Sequence, residues 1–124
     1  MSKRKPYRPK PFESVGGNNL SANLYATMLQ SQAYKNLSDG ARTLYTFMKL
    51  QLYGAKPIKD HPNTDFVFNW GMASKTYGIC SNKKQFYINR DRLVENGFIE
   101  VVECGRNTRT KNIYRFSDKW QEIT

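Results

Sequence analysis

The chain has 124 residues, 39% hydrophobic and 24% charged, and its 20 Lys and Arg outnumber 10 Asp and Glu to give a formal charge of +10. That length supports one domain with a modest core and little room for a second. The charge favours an anionic partner, nucleic acid or an acidic membrane surface, and says nothing about the fold.

Residues 1–19, MSKRKPYRPKPFESVGGNN, set Lys3, Arg4, Lys5, Arg8 and Lys10 against Glu13 alone. Prolines, glycines and few large apolar side chains make this stretch read as a flexible basic arm. Its plainer reading is a solubilising tail. The folded domain is expected over 20–124. No apolar run follows the basic start as it would in a signal peptide. No stretch approaches the roughly 20 apolar residues of a membrane span. A cytoplasmic location and no membrane partner are therefore expected.

From Leu20 the sequence reads as an extended approach and a short helix over 29–35, with Leu24, Met28, Leu29 and Tyr34 as core contacts. Ser38 can cap a longer helix, and Asp39 meets the exposed amides of its first turn. Ala41, Leu44, Tyr45, Met48 and Leu52 recur at helical spacing before Gly54 ends the run. GAKPIKDHPNTD is a loop by its prolines, glycine and small polar residues. Phe66 to Phe68 form a short apolar run that suits an edge strand.

Asn69 can cap a second compact helix, WGMASKTY, with Trp70, Ala73 and Tyr77 on one face and Gly78 at its end. Ser81 then caps NKKQFYINRDRLVEN, which stops at Gly97. Two helices joined through Gly78, Ile79 and Cys80, with Ile79 plugging the angle, have the form of a helix-turn-helix unit. GFIEVVECGRNTRTKNIYRF next reads as two antiparallel strands about an exposed basic loop. The FVF strand should pair with this hairpin, because an isolated two-stranded ribbon is marginal. The expected fold class is α+β, a winged helix-turn-helix with a short β-sheet and a C-terminal β-hairpin wing. Trp120 is expected to fold back over the open end of the core, with a dimer surface as its rival role. Tyr45, Phe47, Tyr53, Trp70 and Phe86 read as core or interface residues.

On a wheel of 100° per residue, Phe86, Leu93 and the Gly97 end face the core, with Val94 near the edge and Asn89 and Arg90 leaning inward. Lys84, Ile88 and Asp91 fall on the other side. A helix fits the major groove, where Lys and Gln read base edges and an apolar side chain meets a thymine methyl. Lys84, Gln85 and Ile88 are the candidates for base contact. Asn82 opens the helix, and Lys83, Tyr87 and Arg92 are placed for phosphate. Asp91 opposes this unless it meets a cytosine amino group or pairs with Arg92 or Lys84. In the loop, Arg106 and Arg109, with Asn107 and Lys111 beside them, can enter the minor groove or grip the backbone. The plain alternative for both elements is a solvated charged surface.

Other chemistries find little support. Cys80 and Cys104 are too few for a metal cluster and read as reduced thiols. His61, the single histidine, sits in a Pro-flanked loop with no acid partner of fixed geometry. No enzyme activity, cofactor or metal is expected. Tyr25 and Tyr87 could stack single-stranded bases, but the aromatic interleaving of a strand groove is missing.

The strings AYKNLSDGARTLYTFMKLQ, FVFNW, ASKTYGICSNKKQFYINRDRLVENGFIEVVE and NIYRFSDKWQ together resemble a family of small winged-helix proteins encoded by bacterial plasmids, conjugative elements and phages. The resemblance spans roughly residues 20 to 122. Tyr77, Gly78 and Ile79 match the family's turn, and Phe86 and Leu93 the inward side of its recognition helix. Gly97, Phe98 and Ile99 match the junction into the hairpin, and Tyr114, Ser117 and Trp120 the closing segment. Asn89, followed by Arg90, stands where the family often carries alanine, which bears on how tightly that helix seats. The resemblance implies the fold and leaves replication and transcriptional control both open.

The expectation is thus sequence-specific binding of double-stranded DNA, as a transcriptional regulator or replication accessory of a mobile element or phage. The alternative is a protein-interaction module on the same scaffold, for which Ile88 beside Asp91 speaks. A homodimer, through the segment before residue 37 or the end around Trp120, would place half-sites about one helical turn apart.

Overall fold

A computed structural model describes residues 23–54, 58–103 and 112–123. The arm at 1–19 lies outside them. So do Arg106, Asn107, Arg109 and Lys111 of the basic loop. The domain is mixed α+β, with helices packed on a three-stranded antiparallel sheet.

Its first elements are two single turns, α1 (Ala26–Leu29) and α2 (Gln32–Lys35), where one helix over 29–35 was expected. Ser31 makes the break. Its hydroxyl donates to the Met28 carbonyl at 2.6 Å and accepts from the Tyr34 amide at 3.2 Å. A side chain bonded in both directions gives the backbone an alternative to continuing the helix. Met28 is buried and Leu24 and Tyr34 pack on the core, whereas Leu29 points to solvent.

The long helix α3 (Asp39–Gly54) has the bounds that its cap and closing glycine predict. The Ser38 hydroxyl accepts from the Ala41 amide at 3.2 Å. Ala41, Leu44, Tyr45 and Met48 are buried and Leu52 packs at the margin. Tyr53, read as a core or interface residue, is exposed at the end of the helix and so lies outside the core.

Strand β1 (Asp65–Val67) lies at one edge of the sheet, β2 (Ile99–Glu103) at the other, and β3 (Ile113–Phe116) between them. Asp65 faces Arg115 and Phe66 faces Tyr114, and on the other side Ile99 faces Phe116 and Val101 faces Tyr114. The register shifts between Val101 and Glu103, so Val102 is an extra residue opposite β3. Such a bulge bends and twists its strand, here just before the segment 104–111.

The core on which these elements close is largely aromatic. Phe66, Phe68, Phe86 and Phe98 are each at most 1% exposed, and burying one such side chain contributes about 1.5–3 kcal/mol. Phe66 stacks on Phe116 at 4.6 Å, and Tyr45 meets Phe98 and Phe116 edge-on at 5.3 and 5.5 Å. Trp120 lies parallel to Phe98 at 6.2 Å, closing the core's end as the sequence predicts. Its amide donates to the Gly97 carbonyl. Gly97 has φ +77, and a Cβ there would stand 2.6 Å from the Lys119 carbonyl carbon and the Trp120 nitrogen. Conformation and space both demand glycine at this corner.

Candidate functional site

Two helical segments and a short turn build the candidate site. The first holds a π-helical stretch, Met72–Thr76, entered through Asn69, whose side-chain oxygen accepts from the Met72 amide at 2.9 Å. The Tyr77 amide reaches the Met72 carbonyl, five residues back, the bonding of a π-turn. Gly78 then takes φ +62, and the Ile79 amide donates to the Ala73 carbonyl, which satisfies the helix end. Ile79 and Tyr77 pack against the core, and the Tyr77 hydroxyl donates to Gln51 of α3 at 2.8 Å.

The second segment is α4 (Lys83–Glu95). Its cap is Asn82 rather than Ser81: the Asn82 side-chain oxygen accepts from the Gln85 amide at 3.2 Å. Of the residues expected to meet DNA, Asn82 therefore spends its acceptor on the helix start. Phe86 and Leu93 face inward as the wheel predicts. Lys83, Lys84 and Gln85 are exposed, Ile88 is 40% exposed, and Tyr87 is half-buried against Phe86 at 5.1 Å. Val94 also reaches solvent.

The charges along α4 sort into paired and unpaired. Asp91 takes the Arg90 guanidinium, at 2.9 and 3.2 Å, a partner other than the Arg92 or Lys84 that the sequence offered it. Arg90 lies over the Tyr87 ring at 4.8 Å. Burial works to lower its pKa, and hydrogen bonds with Tyr114 and Asp91 outweigh that and raise it. Arg92 meets Glu95 at 3.4 Å with both side chains largely in water, a contact of little stabilising value. Among the described residues the side chains of Lys83 and Lys84 have no ion pair or hydrogen bond.

Asn89, which left the tightness of this helix's seating open, is 4% exposed and packs between α4 and α3. The space comes from Gly40 in the first turn of α3. A Cβ on Gly40 would approach the Asn89 amide nitrogen to 2.7 Å. Sequence reasoning passed over Gly40. The available signal was a glycine inside a helical run, which often marks a close backbone approach.

A second polar cluster gathers at the sheet edge. Asp65 is buried, and its carboxylate accepts from Arg115 at 2.7 and 3.2 Å. His61 Nδ1 lies 2.8 Å from Oδ2, the oxygen that also accepts from Arg115 Nη2, and its Nε2 lies 3.7 Å from Glu103. His61 thus has the fixed acid partner that its loop position did not foretell. Hydrogen bonding from Arg115 is the largest influence on Asp65. With His61 it outweighs burial and holds the carboxyl below the usual range. Among the described residues no group of His, Cys, Asp and Glu could hold a metal, and no helix is long and apolar enough to cross a membrane. A concavity of about 710 Å³ includes Tyr45, Lys49, Phe116 and Trp120 in its lining, which takes no residue from α4.

Comparisons of the chain with family models, curated proteins and solved structures find no match.

Proposed function

We propose that the chain is a winged helix-turn-helix protein that binds double-stranded DNA in a sequence-specific way. In this reading α4 enters the major groove and the segment 104–111 forms the wing. The protein serves a mobile element or phage as a regulator of transcription or an accessory to replication, in keeping with the resemblance in its turn, junction and closing segments. The observation that carries the reading is the division of α4. One side is locked into the core through Phe86, Asn89 and Leu93, and the other presents unpaired Lys84 and Ile88 with Gln85 at its flank, while unpaired Lys83 is exposed in the first turn. A groove about 12 Å wide admits such a helix, and amides, ammonium groups and an apolar side chain are the groups that read its floor. The basic composition of 104–111, with Arg106, Arg109 and Lys111, supplies further charge for phosphate or the minor groove.

Selection from a randomised duplex pool over a series of salt concentrations tests the proposal. Enrichment of a motif, with affinity falling as salt rises, is the expected result. Absence of both overturns it. A second reading, a protein-interaction surface, draws on Ile88, 40% exposed on the same side. A partner that shields Ile88 and is not displaced by DNA would favour it.

A further inference from the structure

A hydrogen bond links the exposed flank of α4 to its buried side: Gln85 Nε2 donates to Asn89 Oδ1 at 3.0 Å, one turn along the helix. Gln85 is otherwise exposed, and a free glutamine in water samples many rotamers at an entropic cost when it is fixed. Asn89 is the opposite case. It is buried, and its carboxamide rests against the bare backbone of Gly40, where a Cβ would lie 2.7 Å from Nδ2 and 3.3 Å from Cγ and Oδ1. Burial and this close packing hold the Asn89 carboxamide against α3. The main chain at Gln85 is held as well, by its amide bond to the Asn82 side chain. The side-chain amide of Gln85 is thus tied to Asn89, and the backbone that carries it to Asn82.

We infer that Asn89 is a positioning residue that holds Gln85 ready to read an adenine in the major groove. The inference rests on the DNA-binding reading above. An amide nitrogen carries two hydrogens and the amide oxygen two lone pairs. With one hydrogen committed to Asn89, Gln85 keeps one N–H and its carbonyl oxygen. Those two groups are what adenine requires, the N–H for N7 and the oxygen for the N6 amino group. Fixing the amide before binding removes part of the ordering cost that an unrestrained side chain carries. Asn89 itself touches no base. It acts through Gln85, and Gly40 makes its position possible.

The test has an arm on the free protein and an arm with DNA, using the full chain. In the free protein, NMR relaxation of the Gln85 side-chain amide should show a restrained group that becomes mobile in Asn89→Ala. A Gln85 amide already mobile in the unsubstituted protein overturns the inference and leaves the DNA reading standing. In duplex selection, the unsubstituted protein should prefer adenine at one position by about tenfold or more. Gln85→Ala and Asn89→Ala should each lose that preference while keeping the other positions and the salt dependence. The pair together should lose no more than either alone. Gly40→Ala/Asn89→Ala, which puts a methyl back into the vacated space, guards against a cavity effect and should behave like Asn89→Ala. Adenine preference that survives in both Asn89 variants overturns the inference, as does an equal flattening at every position. A restrained Gln85 with no motif selected by the unsubstituted protein overturns the DNA reading and the inference with it.

Discussion

The Asp65 cluster and the outer side of α4 are both charged, and they use charge in opposite ways. At the sheet edge every polar group closes on another. Arg115 and His61 share one buried carboxylate, and His61 reaches on to Glu103. Along α4, Arg90 and Asp91 pair with each other while Lys83 and Lys84 make no ion pair or hydrogen bond among the described residues. A closed cluster ties three chain segments together and sets its charges against one another. An open row adds little to stability and keeps its attraction for a polyanion. Total charge is thus a poor guide to where a partner binds, and pairing is a better one.

The two regions should respond in opposite ways to substitution. Asp65→Ala should have the largest effect on stability, because it leaves Arg115 and His61 without the carboxylate they share. Arg115 can still reach water, which keeps the loss to about 2 kcal/mol, measurable as a lower urea midpoint. Binding per folded molecule should be unchanged, and a selective loss of DNA affinity would break the contrast. Lys84→Ala should leave the urea midpoint within about 0.5 kcal/mol while costing about 1–3 kcal/mol of discrimination at one base position. Lys83→Ala should weaken binding evenly across sequences and lower the salt slope by about 1. Arg92→Ala should have the smallest effect of the three on binding, since Glu95 competes for its guanidinium.

Acid should sharpen the contrast further. The folded-state pKa of Asp65 lies below its ordinary value, so its contribution is complete above the unfolded carboxylate's pKa, about 3.9. It is lost as pH falls from there through the depressed folded value. Asp65→Asn should therefore flatten the acid limb of a stability profile below about pH 4. An unchanged limb would show that other carboxylates set it.

Local signals carried a good part of the structure. Ser38 and Gly54 bounded α3, and the periodicity of Phe86 and Leu93 gave the inward side of α4. Runs of Val, Ile and Phe marked the two hairpin strands, with FVF at the sheet edge, although β1 begins one residue earlier, at Asp65. Elsewhere two local signals competed. Ser31 split an expected helix, and Asn82 displaced Ser81 as cap, because in each case a neighbouring polar side chain could serve the same backbone amides. The candidate base contacts were legible as an exposed row on α4. The loop candidates rest on the sequence alone.

By itself the sequence determined the order of the main elements, the turn at Gly78 and the row of side chains that α4 leaves to solvent. These follow from cap chemistry and periodicity, which act over four or five residues of contiguous chain. Only the tertiary structure decided that Asp65 meets Arg115, fifty residues away, and that Gly40 makes room for Asn89. A glycine's missing methyl and a carboxylate's partner have no local signature. Their meaning depends on which distant atoms the folded chain brings within about 3 Å.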